Sequence, residues 1–156
     1  MIVVSDTSPI TNLVDIGHLE LLRTLFGVVL VPREVFRELA AGAIALPEWI
    51  EVRDVHDRTR VADLESRLDL GEAEVLVLAI ETRANLVLVD ERRGRTVAKG
   101  LGVRTIGVLG ILLRAKSEGH INAVAPLLDE LIHTAGFYVS AALRAQTLRL
   151  ARERDA

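Results

Sequence analysis

Four acidic residues of this sequence lie near the ends of predicted strands and helices. Asp6 comes after the run MIVV, and Asp90 comes directly after the run LVLV. Because ligands bind beyond the carboxyl ends of the strands in open parallel sheets, we expect these two side chains to face one cleft. Glu38 lies near the end of the helix predicted after the second strand, and Glu72 begins a helix with an apolar core. The sequence therefore predicts a pocket of carboxylates.

The chemistry expected of such a pocket is metal-assisted hydrolysis. Carboxylates held close together repel one another, so a cluster of them requires a cation. Mg²⁺ or Mn²⁺ fits this role, because each ion binds a few carboxylates together with waters and contacts substrate phosphate. One or two such ions would lower the pKa of a bound water and stabilise charge on a phosphate.

Each of the four acids also has an ordinary structural explanation. Asp6 in the segment DTSP suits a helix N-cap, and a glutamate at position 72 is stabilised by the dipole of its helix. Glu38 is typical of a solvated helix residue, and Asp90 of a residue that ends a strand. The pattern of all four acids, rather than any one of them, indicates a metal site.

Polar and basic residues near the acids are candidates for substrate binding. Ser8 and Asn12 follow the first apolar run and would hydrogen-bond a metal-bound water or a phosphate, although such residues also cap helix turns. Arg92 and Arg95 belong to a basic segment, RRGRTVAK, that would bind phosphates at the mouth of the cleft. A solvated helix face would have the same composition.

The elements that must position these residues alternate between strands and helices. Strands are predicted at residues 1–4, 28–31, 86–89 and 103–106, with a minor strand or extended connection within 44–54. Among the helices are those predicted at 63–68, 72–82, 92–99, 108–116, 123–134 and 140–153, with a break at Leu70-Gly71. Apolar strands separated by helices predict a three-layer α/β fold, a twisted parallel sheet of about four to five strands with helices on both faces.

Composition restricts the class of protein. A chain of 156 residues, half of them hydrophobic, predicts a single domain over residues 1–156. The absence of cysteine excludes disulfide scaffolds and thiolate zinc sites, and the four histidines are scattered. A formal net charge of −3 disfavours a nonspecific nucleic-acid coat protein but permits an enzyme that acts on nucleic acid. Without a signal-peptide pattern or a long apolar run, we expect a cytoplasmic protein with no membrane contact.

The sequence resembles PIN-domain proteins of the compact prokaryotic branch related to VapC-type toxin ribonucleases. The resemblance extends from residue 1 to about Phe137. It rests on four segments in order, VVSDTSPITNL with Asp6, VPREVFREL with Glu38, LGEAEVLVLA with Glu72, and LVLVDERRGRTVAKGLGVRTIGVLGILLRAKSEGHI with Asp90. It implies a PIN fold in which Asp6, Glu38, Glu72 and Asp90 are catalytic and bind Mg²⁺ or Mn²⁺.

The function that this resemblance implies is that of a metal-dependent endoribonuclease, a hydrolase of RNA phosphodiester bonds. Relatives are often dimers and often the toxin of a toxin–antitoxin pair, so a homodimer and an antitoxin protein are expected partners. The alternative is a catalytically idle PIN-like module that binds nucleic acid or protein. A receiver-like phosphoacceptor built from Asp6, Asp54 and Lys116 is disfavoured, because Thr-Ser-Pro rather than a second acid follows Asp6.

The identity of the third acid is ambiguous in the sequence. The segment GEAE offers Glu72 and Glu74, which lie about 200° apart around a helix of 3.6 residues per turn. We favour Glu72, although many relatives have aspartate there. Glu91, next to Asp90, is a further candidate acid.

Overall fold

Five short strands form one parallel sheet in the structure, a computed structural model that describes residues 1–154. The strands are β1 (Val3–Ser5), β2 (Val29–Pro32), β3 (Ile50–Arg53), β4 (Leu86–Leu88) and β5 (Thr105–Ile106). Their order in the sheet is β3-β2-β1-β4-β5, so that β1 is central and β5 is an edge strand. The predicted minor strand within residues 44–54 is β3.

Helices surround this sheet and confirm the predicted three-layer α/β fold. They are α1 (Thr7–Asp15), α2 (Glu20–Phe26), α3 (Arg33–Ala41), α4 (Arg58–Leu64), α5 (Leu70–Thr82), α6 (Arg92–Gly100), α7 (Val108–Ser117), α8 (Ala125–His133) and α9 (Ala141–Leu150). Within the described residues, no helix has the length and apolar character needed to cross a bilayer. The predicted single domain, 1–156, includes two residues, 155 and 156, that lie outside the described ones.

The pairing of β1 with β4 brings two of the predicted acids to the same edge of the sheet. Ser5 pairs with Leu88 in parallel register, and the backbone N–H of Asp6 donates to the carbonyl of Leu88 over 2.9 Å. Both strands are fully buried and rich in branched aliphatic side chains, as expected of central parallel strands. Asp6 and Asp90 therefore both leave the sheet at the carboxyl ends of neighbouring strands.

Helix α5 is buried on every face from Gly71 to Ala79. Such a helix normally carries apolar residues throughout, yet α5 also contains Glu72, 4% exposed, and Glu74, 5% exposed. A buried carboxylate needs hydrogen bonds or positive charge to remain ionised. The surroundings of these two glutamates therefore distinguish a structural role from a functional one.

Two of the differences from the predicted helix boundaries have a clear physical cause. The helix predicted at 63–68 begins earlier, as α4, because the Asp57 carboxylate caps it by accepting from the backbone N–H of Arg60 over 3.0 Å. The predicted break at Leu70-Gly71 is wrong, because α5 already begins at Leu70. The start of α5 is stabilised by a capping box in which Asp69 and Glu72 each accept from the other's backbone N–H.

Candidate active site

Asp6 lies at the end of β1 and is only 8% exposed. It occupies the N-cap position of α1, but its side chain does not make the capping hydrogen bond. The pKa of Asp6 is raised to about 7. Burial is the largest cause, a hydrogen bond from the Thr7 backbone lowers the pKa, and the charges of Glu72, Asp69 and Glu38 raise it. The carboxylate is therefore available to a ligand and lies in a negative field.

Glu38 reaches this pocket from α3. Its Oε2 accepts from the Thr7 hydroxyl over 2.8 Å. Burial raises the pKa of Glu38, the Thr7 hydrogen bond lowers it, and the charges of Asp69 and Glu34 raise it. A Cβ at Gly71 would lie 2.5 Å from Oε1 of Glu38, so the absence of a side chain at Gly71 gives the Glu38 carboxylate its space.

Glu72 has one satisfied and one unsatisfied oxygen. Oε1 accepts from the Arg93 guanidinium over 2.8 Å and from the backbone N–H of Asp69 over 3.2 Å. Oε2 is buried and has no hydrogen-bond partner among the described residues. Burial raises the pKa of Glu72, whereas its hydrogen bonds with Arg93 and Asp69 lower it. An unsatisfied buried oxygen is costly, and here it lies 3.2 Å from the position that a Cβ of Gly94 would occupy.

Asp90 is held at both carboxylate oxygens. Oδ1 accepts from the backbone N–H of Val108 over 2.7 Å, and Oδ2 accepts from the side-chain amide of Asn12 over 3.3 Å. Burial raises the pKa of Asp90, and its hydrogen bonds with Val108 and Asn12 and the charge of Arg95 lower it. The guanidinium of Arg95 also donates to the backbone carbonyl of Asp90. Asp90 is thus fixed in orientation at the start of the loop before α6.

Helix α1 connects the two sides of this arrangement. Its first residue, Thr7, binds Glu38, while Asn12, one turn further on, binds Asp90. The structure thus places Glu38 and Glu72 close enough to Asp6 for their charges to raise its pKa, and it links Asp90 to them through α1.

Glu74 lies in a different environment from Glu72. Its Oε1 accepts from the backbone N–H of Glu34 over 3.0 Å, and its Oε2 pairs with Arg58 over 2.9 Å. Glu74 therefore ties α5 to α3 and α4, whereas the charge of Glu72 is among those that raise the pKa of Asp6. The geometry favours Glu72 as the third acid. Glu91 is exposed, with its carboxylate 3.9 Å from the Arg93 guanidinium.

One residue of this site, Asp69, was not singled out from the sequence. Asp69 adds negative charge beside Asp6, Glu38 and Glu72. Its position three residues before Glu72 is a capping-box pattern that the sequence displays. Arg93 neutralises part of the charge on Glu72, but nothing in the sequence distinguishes it from the neighbouring arginines.

The candidate substrate-binding residues lie around the pocket in different states. Asn12 is bonded to Asp90. Ser8 is half-buried, and its backbone carbonyl accepts from the Thr11 hydroxyl over 3.1 Å. Arg92 and Arg95 are exposed and line an open groove beside α6. The receiver-like alternative is not supported, since Asp54 pairs with Arg33 and Lys116 pairs with Glu153.

The chemistry of the pocket fits a hard divalent cation. Its donors are carboxylate oxygens, one of them buried and without a partner in the described part of the chain, and burial disfavours their charged forms in the absence of a cation. Within residues 1–154, however, no three acidic or histidine side chains are arranged to hold one ion. Mg²⁺ commonly binds one or two carboxylates and retains several waters, which is the mode of binding that these residues fit.

Comparison with known families agrees with this geometry. A family model described as a PIN domain, DUF3368, matches residues 2–153, and no curated protein matches the sequence. PIN domains are generally nucleases and typically use divalent metals. Because the match covers nearly the whole chain, this protein belongs to the DUF3368 family of PIN domains.

Proposed function

We propose that this PIN domain is a metal-dependent endoribonuclease that hydrolyses RNA phosphodiester bonds. The observation that carries the proposal is the pocket at the carboxyl ends of β1 and β4. There, buried Asp6 has a pKa of about 7, and Glu72 has an oxygen with no partner among residues 1–154. Such an arrangement costs stability unless a cation or substrate uses it, and perturbed carboxylates in a cleft are typical of functional sites.

The four acids would hold Mg²⁺ or Mn²⁺. A bound ion would supply a water of lowered pKa and stabilise charge on the phosphate. Asp6, Glu38, Glu72 and Asp90 would ligate the ion directly or through its waters. Thr7 orients Glu38, while Asn12 and the Val108 N–H orient Asp90.

Residues at the rim of the pocket would bind the substrate. We assign Ser8 and Asn12, on the first turns of α1, to contacts with a metal-bound water or a phosphate. Arg92 and Arg95 would bind RNA phosphates, because guanidinium groups form strong hydrogen bonds with them. Their exposure beside Asp90 supports this assignment.

A catalytically idle PIN module is the second candidate. It is favoured by the Arg93 guanidinium on Oε1 of Glu72 and by the lack, within residues 1–154, of three side chains arranged around one ion. Such a module would bind metal or nucleic acid without cleaving a phosphodiester bond. Calorimetric metal binding without cleavage would identify it.

The direct test of the proposal is cleavage of a panel of single-stranded and structured RNAs. The purified protein is assayed with Mg²⁺, with Mn²⁺ and with a chelator, beside an Asp6→Asn variant whose fold is checked by circular dichroism. We expect cleavage by the wild type only with metal, and at least a hundredfold less by the variant, which keeps the shape of the side chain but loses its charge. Equal cleavage by both would remove Asp6 from the mechanism.

We include in the proposal a role as the toxin of a toxin–antitoxin pair and assembly as a homodimer in the cytoplasm. The membership in the PIN-domain family is compatible with these expectations. Growth arrest on expression, rescued by a co-expressed partner, would test the first expectation. Light scattering of the purified protein would test the second.

A further inference from the structure

We propose that the groove between α6 and the edge strand β5 binds a single RNA strand through its phosphates and leads that strand away from the acidic pocket. The inference rests on the proposed function, since the strand is taken to be the substrate. We call this surface the α6 groove. It is open, has a volume of about 620 Å³, and is lined by Arg92, Arg95, Thr96, Lys99, Gly102, Val103, Arg104 and Thr105.

The charge of the α6 groove is positive along its whole length. Four of its lining residues are basic, and among the described residues that line it none is acidic. In a chain of net charge −3, this concentration of one sign departs from the average surface. A basic stripe on an acidic protein is the electrostatic footprint expected of a phosphate-binding surface.

Helical periodicity aligns the basic residues. Arg92, Arg95, Thr96 and Lys99 occupy positions i, i+3, i+4 and i+7 of α6, which lie on one face of a helix. The opposite face, Gly94, Val97 and Ala98, is buried. The basic stripe therefore runs parallel to the helix axis on the exposed face of α6.

The arginines of the stripe are unfavourable for the stability of α6 itself. The first turn of α6 contains arginines and no acidic residue, although the positive end of the helix dipole disfavours cations there. Like charges three and four residues apart also destabilise a helix, whereas Lys99 lies in the last turn, where the dipole favours a cation. Since Arg92 and Arg95 do not stabilise their own helix, we infer that they serve a ligand.

Most cations of the α6 groove are also without internal partners. Some basic residues outside the groove pair with carboxylates, as Arg33 does with Asp54, whereas others, such as Arg23, have no such pair within residues 1–154. In the groove, Arg92, Lys99 and Arg104 likewise have no ion pair or side-chain hydrogen bond within the described residues. Their charges are available to an anion in solution.

Arg95 joins the α6 groove to the acidic pocket. Its guanidinium donates to the backbone carbonyl of Asp90 and lies 3.6 Å from the position that a Cβ of Gly107 would occupy, beside Oδ1 of Asp90. A strand with its scissile phosphate near Asp90 would therefore continue over Arg95 towards Lys99 and Arg104. From Arg92 to Lys99 the helix rises about 10 Å, the axial length of about three nucleotides of a stacked strand.

The chemistry of the lining indicates contacts to the backbone of the RNA rather than to its bases. No aromatic side chain is present among the described lining residues, so base stacking has no platform here. Phosphate contacts fix the position of a strand without reading its sequence. The α6 groove should therefore contribute affinity equally to all sequences.

The test measures RNA binding apart from cleavage. A fluorescein-labelled unstructured RNA of twelve nucleotides is titrated with protein in EDTA, followed by anisotropy, for wild type, Lys99→Gln, Arg104→Gln and the double variant. We expect the double variant to bind about tenfold or more weakly at low salt, and each substitution to reduce the slope of log K against log salt by about 0.7. The loss should be the same for RNAs of different sequence.

Arg23→Gln is the matched control. Arg23 is exposed on α2, and the substitution makes the same change of charge outside the α6 groove. Wild-type affinity and salt slope are expected for it. Three results would overturn the proposal: RNA binding weakened as much by Arg23→Gln as by the double variant, RNA binding unchanged in the double variant, or equal affinity of the wild type for duplex and single-stranded RNA. So would loss of binding to a polyglutamate peptide but not to RNA, which would assign the α6 groove to an acidic protein.

The two proposals fail in different ways. In one outcome the wild type cleaves RNA, and the double variant binds and cleaves RNA as the wild type does. This outcome would refute the proposed role of the α6 groove and leave the proposed nuclease activity supported. Loss of RNA binding in the double variant, with no metal-dependent cleavage by the wild type, would support the α6 groove on an idle module.

Discussion

At the residue scale, two buried acids of one helix, Glu72 and Glu74, lie in different environments. Glu74 has a donor on each oxygen, so its charge is used within the protein. Glu72 shares one oxygen with Arg93 and Asp69 and leaves the other unpaired among the described residues. The sequence predicted both candidates from GEAE, but the partners that distinguish them, Arg93 for Glu72 and Arg58 for Glu74, lie on other helices, and only the fold brings them together.

Asp6 makes the stability of the metal-free protein depend on pH. Its pKa is raised from 3.8 to about 7 in the folded state, so between these values the folded state binds more protons than the unfolded state. By linkage, stability then falls as pH rises through this window. We expect the free energy of unfolding in EDTA to drop by about 1–3 kcal/mol between pH 5 and pH 8 from this group.

Urea denaturation of the wild type and of Asp6→Asn at both pH values would check this expectation. The variant lacks the titrating group, so the drop between pH 5 and pH 8 should be smaller by the contribution of Asp6. Added Mg²⁺ should stabilise the wild type more at pH 8 than at pH 5, because metal binding requires the ionised carboxylate. An equal drop for both proteins would contradict the assignment of the raised pKa to Asp6.

At the scale of elements, the positions of the strands follow from the apolar runs in the sequence, and the positions of Asp6 and Asp90 follow from the strands. The order of the strands in the sheet does not follow from the apolar runs. That β1 lies beside β4 is a tertiary result, and it is this neighbourhood that brings the two acids to one edge. The predicted break at Gly71 was wrong for a related reason. Glycine is a weak helix former, but in α5 the Glu38 carboxylate from α3 occupies the space that a side chain at this position would fill.

Gly71 and Glu38 therefore form a testable pair between α5 and α3. By helix propensity, Gly71→Ala should stabilise α5 by about 0.5–1 kcal/mol. The added Cβ would lie 2.5 Å from Oε1 of Glu38, so the flexible carboxylate must move. We expect stability to change little and metal-dependent cleavage to fall by about tenfold, because small displacements of catalytic groups cost that much or more.

Gly100→Ala is the control for this substitution. Gly100 is also helical, and a Cβ there would meet nothing within 4 Å. Its activity should remain that of the wild type, measured by initial rates of RNA cleavage beside thermal unfolding. Wild-type activity of Gly71→Ala would show that the position of the Glu38 carboxylate is not important for catalysis.

At the scale of the whole molecule, charge is separated between two neighbouring surfaces. The acidic pocket lies at the carboxyl ends of the central strands, and the basic α6 groove lies beside the edge strand β5. The net charge of −3 conceals this separation, which is why composition alone left nucleic-acid binding open. Such an arrangement would attract a phosphate backbone along one side of the pocket while the pocket itself binds cations.

The most direct test of the account is metal-dependent RNA cleavage by Glu72→Gln and Glu74→Gln, measured side by side below the unfolding temperature of either variant. Both substitutions remove one buried negative charge from α5, so they differ mainly in which contacts are lost. The account predicts loss of cleavage in Glu72→Gln, and retained cleavage with reduced stability in Glu74→Gln. Retained activity in Glu72→Gln, or loss of activity in the folded Glu74→Gln alone, would contradict it.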